Sequence, residues 1–170
     1  KRGTAHDEKW SSAYGENQKT ESGEIYYGTV LEHILLENLC AFYDVGEHNE
    51  MKLHRADWND AMDMAWENGE SVAFTCAYAG NMKNIAEYLR KLQEKFDRIE
   101  VAEEMEILFT GDRELYESPE KKQQLLRQYT EKCAHDISGN TIVIRLDQLS
   151  RNLDEKADWM MENIRRREWV

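Results

Sequence analysis

The chain has little of what would make it a nucleic-acid binder, a membrane protein or a disulfide-stapled secreted domain. Basic residues are in short supply, with 22 Lys and Arg against 34 Asp and Glu and a net charge of -12. Phosphate backbones demand a basic face, so nucleic acid is not an expected partner. No run approaches the roughly eighteen consecutive apolar residues of a membrane span, and residues 1–24 lack the apolar centre of a signal peptide. No membrane partner is therefore expected. Cysteine is scarce and odd in number: Cys40, Cys76 and Cys133 are widely spaced, each within an apolar helical pattern. Buried reduced thiols and a cytoplasmic setting fit that usage. Proline occurs once, at Pro119, and the chain has neither an internal repeat nor a low-complexity tract.

What is present suffices for a core. With 170 residues, 41% hydrophobic and 33% charged, the chain fits one folded domain. Residues 1–24 form a polar arm or loop with Trp10 and Tyr14 as its large apolar anchors. Between Tyr26 and Val45, Val30, Leu31, Ile34, Leu35, Leu39 and Phe42 recur at spacings of three and four, which predicts a helix with one buried face, closed by Gly46. Residues 46–68 are a polar connection, longer than the usual link between packed helices, and long loops on a rigid scaffold tend to carry function. A second helix is predicted to start near Asn68 as its cap, with Glu70 in its first turn. It runs through Phe74, Tyr78, Met82, Ile85, Leu89, Leu92 and Phe96.

Residues 99–170 read as a helical extension or insertion, in the same domain as the preceding helices or as a subdomain. Val101, Met105 and Leu108 make a short periodic run before Gly111. Ser118 and Pro119 look like the cap and first residue of a helix through Leu125, Tyr129 and Cys133. Thr141–Ile144 is β-branched, but a lone strand has nothing to pair with. A last helix from about Leu146 or Ser150 places Leu149, Leu153, Ala157, Met160 and Ile164 on one face and ends in arginines. The overall expectation is an all-α, helical-bundle-like fold.

The polar connection contains Arg55-Ala56-Asp57-Trp58-Asn59-Asp60-Ala61-Met62-Asp63, an indole between carboxylates and an amide. An indole face offers apolar contact to the C–H side of a pyranose, and the neighbouring groups can bind its hydroxyls. One of the acids could also protonate a glycosidic oxygen. Asp57-Trp58-Asn59-Asp60 with Met62, followed by Gly69-Glu70-Ser71-Val72, resembles the Gly-Asp-Trp-Asn-Asp-Gly-Met and Gly-Glu-Ser-Val signatures of the inverting cellobiose/chitobiose phosphorylases, glycoside hydrolase family 94. The segment with Val30, Glu32 and His33 is similar to the one that precedes the signature there, so the resemblance covers roughly residues 24–80. It departs at Ala56 and Ala61, which stand where the family has glycine.

The resemblance implies an (α/α)6 barrel, with 25–98 supplying catalytic-barrel helices and the active-site loop. Twelve helices of about 11 to 12 residues with loops of about 4 to 6 need on the order of 200 residues, so the chain is expected to be a piece of a longer enzyme. The resemblance also implies that Asp60 is the general acid and that Trp58 lies against the sugar; Asp57, Asn59 and Glu70 complete the expected substrate-binding set. A phosphorylase needs no base carboxylate, because inorganic phosphate is already an anion and can attack the anomeric carbon itself. Phosphate is thus the expected co-substrate, with no other cofactor, and an oligosaccharide or disaccharide the expected substrate. The rest of the parent polypeptide is an expected partner, and a homodimer is left open.

Plainer readings stand beside these. Asp60 could cap a short helix, and Trp58 could be a core aromatic. His48 and His54, with Glu47, Glu50 and Asp57, match no standard zinc or calcium spacing, and no metal is expected. His33 reads as a wall residue, Glu70 as a group that stabilises a helix start, and the Lys121-Lys122 and Arg165-Arg166-Arg167 runs as solvated faces. Two other functions remain open: a non-catalytic helical interaction or structural module, to which Ala56 and Ala61 point, and an inverting hydrolase with a second carboxylate to activate water.

Overall fold

A computed structural model describes residues 17–54, 65 and 68–168. Helices dominate, and two small antiparallel sheets join them, so the all-α expectation holds for the bulk of the chain and fails at four short strands. In chain order the elements are α1 (Val30–Tyr43), β1 (Met51–Lys52), β2 (Glu70–Ser71), α2 (Val72–Leu92), β3 (Arg98–Ala102), a 3-10 helix (Glu103–Phe109), α3 (Arg113–Tyr116), α4 (Pro119–Lys132), β4 (Thr141–Arg145) and α5 (Leu146–Arg167).

Local chemistry sets the helix starts. The Thr29 hydroxyl accepts from Glu32 N at 3.0 Å, so α1 begins at Val30 rather than near Tyr26. Gly46 does not close α1 as a C-terminal glycine. It lies in the turn beyond, where a Cβ would collide with the Glu70 side chain. Ser71, not Asn68, caps α2, its hydroxyl accepting from Phe74 N at 3.1 Å. The reason for the shift is that Gly69–Ser71 is drawn into pairing with the chain at 51–53. The helix ends at Leu92, and Phe96, expected on its buried face, is exposed. Ser118 caps α4 by accepting from Lys121 N, with Pro119 in the first turn, as the sequence predicts.

The short β-branched segment finds the partner it was expected to lack. Thr141–Arg145 pairs with Arg98–Ala102, with Ile144 opposite Ile99 and Ile142 opposite Val101. Val101 is thus a strand residue, and only Met105 and Leu108 of the expected periodic run are helical. Because α2 runs towards β3, β4 runs directly into α5, and the two strands are antiparallel, α2 and α5 pack against each other in opposite directions. Lys83 bridges Asp154 (3.3 Å) and Asp158 (2.7 Å) across their rim, and Arg90 also meets Asp154.

One core unites both halves of the sequence. Leu35, Leu39 and Phe42 of α1 meet Met82, Ala86 and Leu89 of α2, Met105 and Leu108 of the 3-10 helix, Leu125 of α4, and Leu149, Leu153 and Met160 of α5. Each fully buried side chain of this size contributes about 1.5 to 3 kcal/mol. Residues 99–168 supply over half of the buried apolar residues of this core, against which α1 and α2 pack.

Candidate functional site

The chain leaves and re-enters the scaffold around the acidic motif through a two-stranded stem. Met51 pairs with Ser71 and Lys52 with Glu70, and Leu53 N donates to Gly69 O at 2.9 Å. Lys52 N also donates to Asp44 O at 3.0 Å, tying the outgoing strand to the end of α1. The Thr75 hydroxyl accepts from Met51 N at 2.9 Å and donates to Ser71 O at 2.8 Å, so the stem is bolted to the first turn of α2. The segment between the two strands therefore springs from fixed neighbouring points. Asp57, Trp58, Asn59 and Asp60, like Ala56 and Ala61, lie outside the described residues.

Glu70 is the one expected site residue within the described set, and its carboxylate faces the turn at 46–50. Oε1 accepts from Glu50 N (3.0 Å) and His48 N (3.1 Å), while Oε2 meets His48 N (3.1 Å) and His48 Nδ1 (2.8 Å). Its side chain is 11% exposed. A carboxylate that binds two backbone amides of one turn acts as a clamp, because each bond is charge-assisted and the loss of the acceptor would strand the N–H groups. The Glu70 carboxylate beside it holds the His48 imidazole above the usual histidine range. Glu70 does not sit in the first helical turn: it lies in β2, ahead of the Ser71 cap.

The turn so clamped is tight. Gly46 N donates to Glu50 O and Asn49 N to Gly46 O, with Asn49 at φ 67°, a left-handed conformation that asparagine tolerates better than most residues. His54, at φ 50°, pairs through Nε2 with Asp44 where the stem ends. His33 is exposed beside Glu37, at 3.8 Å.

Beneath the turn lies a polar layer drawn from the C-terminal half. Asn49 Nδ2 donates to Tyr116 O at 2.9 Å, and Asn49 Oδ1 accepts from Lys122 Nζ at 3.0 Å. Asn163 Nδ2 donates to Glu50 Oε1 at 2.9 Å, and Gln123 Nε2 donates to Val45 O at 2.6 Å. Lys122 was expected on a solvated face and is instead fully buried, its ammonium 4.0 Å from the Phe42 ring centroid and 4.3 Å from that of Trp159. Only its neighbour Lys121 is exposed, paired with Glu114. Burial pushes the Lys122 amine well below the usual lysine range, against the pull of Glu50.

A second buried amine closes the layer. Lys156 Nζ lies 2.6 Å from Thr110 O, 2.8 Å from Asn152 Oδ1 and 3.0 Å from Tyr116 Oη, and Tyr116 Oη is itself 2.7 Å from Thr110 O. Burial pulls this amine down to about 7. The cluster satisfies either protonation state: an ammonium donates to all three oxygens, and a neutral amine donates to two and accepts the Tyr116 hydroxyl proton. Phe42, Tyr43, Tyr116 and Trp159 surround these amines with edge-to-face contacts, the closest centroids 4.9 Å apart.

These supporting residues were not found from the sequence. Asn49, Glu50, Lys122, Lys156 and Asn163 carry no motif, and polar residues on amphipathic helices read as solvated. Among the described residues, no group of three or more His, Cys, Asp or Glu side chains is arranged to hold a metal ion. What the fold and stem define is a mostly helical protein in which a clamped base brackets the segment that carries the acidic motif. Compared with known proteins, the chain matches no family model and no curated protein sequence.

Proposed function

We propose that this chain is the acid-bearing portion of an inverting glycoside phosphorylase, one section of an (α/α)6 barrel in a longer polypeptide. The supporting observation is the pairing of the Asp57-Trp58-Asn59-Asp60 sequence with a rigid base: β1, β2 and the Glu70 clamp fix both ends of the segment that carries it. Catalytic side chains placed on loops need such a base to hold productive geometry.

In this reading Asp60 is protonated before reaction and lies against the glycosidic oxygen of a β-linked glucoside. A phosphate oxygen attacks the anomeric carbon from the opposite face while the bond from that carbon to the leaving oxygen breaks. The Asp60 proton passes to the leaving oxygen, giving a free sugar and an α-sugar 1-phosphate, and Asp60 is left as a carboxylate. Trp58 supplies apolar contact to the ring, and Asp57 and Asn59 bind its hydroxyls. Glu70 acts as a positioning residue, because both of its oxygens are already engaged by the 46–50 turn.

The reaction is tested by incubating the parent polypeptide with a panel of β-linked glucobioses, with and without inorganic phosphate, and reading the products by proton NMR. The expected result is an α-configured sugar 1-phosphate formed only when phosphate is present. Phosphate-independent release of free sugar would replace this reading with the inverting hydrolase. No turnover by a folded parent would favour the non-catalytic module.

A further inference from the structure

A cavity of about 990 Å3 lies on the face of the molecule formed by residues 26–29, α1, the 3-10 helix and α4. It shares no lining residue with the stem or the 46–50 turn, so nothing about it depends on the role of Asp60. Two of its three carboxylates are engaged within the protein. Glu32 Oε2 accepts from Tyr26 Oη at 3.0 Å and Ala102 N at 3.3 Å, and Glu104 Oε1 accepts from Ser138 N at 2.7 Å. The third, Glu131, is exposed, as is His33. Much of the remaining wall is apolar and meets water: Val30 is 78% exposed, and Tyr26, Leu36 and Cys40 are half-buried. Burial pushes the Cys40 thiol up to about 12, so its sulfur belongs to the neutral wall. Contiguous apolar surface left in contact with water marks a contact site.

The chain itself arrives at this wall. Gln18 and Ile137 both line the cavity. Ile137 N donates to Lys19 O at 2.9 Å, Glu21 N to Ile137 O at 2.8 Å, and Tyr26 N to Gln18 O at 2.9 Å. These bonds pin residues 18–21 at the edge of the cavity, and residues 1–16, which lie outside the described set, continue from there. Their only large apolar side chains are Tyr14 and Trp10, four and eight residues before Gln18. An extended chain carries them at most about 14 Å and 29 Å from Gln18, and a cavity of this volume is on the order of 10 Å across, so both rings can reach it. A tethered ring meets the cavity at an effective concentration in the millimolar range, with which a free ligand of the same chemistry must compete.

From this placement we propose that residues 1–16 are the occupant of the cavity: the segment folds back from Gln18 and seats the rings of Trp10 and Tyr14 against Val30 and Leu36, closing the cavity to outside ligands. A polar segment with two large rings gains apolar contact in this way, and the exposed part of α1 gains its cover.

The test is NMR of the full chain with labelled leucine and valine methyl groups. The expected result is cross-relaxation from the Val30 or Leu36 methyls to the ring protons of Trp10 or Tyr14, read on the unchanged chain and so independent of how any variant folds. N-phenyl-1-naphthylamine, a neutral apolar probe, is expected to bind at least tenfold more tightly to the Trp10→Ser/Tyr14→Ser chain and to shift the Leu36 methyls as it does. Adding Ala134→Trp, which narrows the cavity from its half-buried wall, should remove that gain. Absence of cross-relaxation from either methyl pair to either ring overturns the proposal, as does equal probe binding with and without the two rings. Cross-relaxation found only between differently labelled chains in a mixed sample also overturns it, and gives the cavity to a second copy.

Discussion

Glu70 shows how one carboxylate can do structural work next to the acidic Asp57–Asp60 sequence. It gathers the amides of His48 and Glu50 and the imidazole of His48, and so joins the 46–50 turn to β2. Glu70→Gln keeps the shape but replaces one acceptor oxygen by a donor that faces N–H groups. The expected cost is about 1 to 3 kcal/mol in denaturant unfolding, with faster hydrogen exchange at the His48 and Glu50 amides and no change at the α5 core. Lys156 gives a residue-scale pH dependence of definite sign. Its amine is pulled down to about 7 in the folded protein, from an ordinary value of 10.5, so the unfolded chain binds its proton more tightly than the folded one. Stability should therefore be lowest below pH 7 with respect to this group, and rise as pH increases from 7 towards 10.5, by on the order of a few kcal/mol. Lys122, also depressed by burial, adds with the same sign. Lys156→Met should flatten the rise, and urea unfolding of both proteins between pH 6.5 and 9.5 would show whether it does.

At the level of elements, the cap of α2 does two tasks. The Ser71 hydroxyl accepts from Phe74 N, while its backbone lies in β2 opposite Met51. Ser71→Ala should thus weaken the helix start by about 1 kcal/mol and loosen the β1–β2 stem at the same time. Circular dichroism on heating should show a lower midpoint with native helix content retained at 20 °C. Unchanged stability would mean that the strand pairing alone fixes this junction. The β3–β4 hairpin-like pair has a different role, since it sets the antiparallel approach of α2 and α5 by joining the end of one to the start of the other.

Across the whole molecule, the legible features were those written in local spacing. Pro119 behind Ser118 marks α4, and the three-and-four spacing of Leu149, Leu153, Ala157, Met160 and Ile164 marks the buried face of α5. The features that escaped depend on partners far along the chain. Thr141–Arg145 is a strand only because Arg98–Ala102 lies beside it, and Asn68 loses its expected cap role because Gly69–Ser71 pairs with the chain at 51–53. Lys122 looks solvated beside Lys121 until Asn49, Phe42 and Trp159 enclose it. In the same way residues 99–168, anonymous as sequence, prove to hold the 45–50 turn through Lys122, Gln123 and Asn163.

The most direct measurement of the proposed chemistry is phosphate release from α-glucose 1-phosphate by the parent polypeptide with a panel of sugar acceptors, set beside its Asp60→Asn variant. In this direction the acceptor hydroxyl must lose its proton as its oxygen joins the anomeric carbon, and Asp60 as a carboxylate takes it. The expected result is release that depends on the acceptor and falls by a factor on the order of 100 or more in the variant, as for the loss of a general acid–base group. Acceptor-dependent release that survives Asp60→Asn, or none from a folded parent with any acceptor, would contradict the assignment.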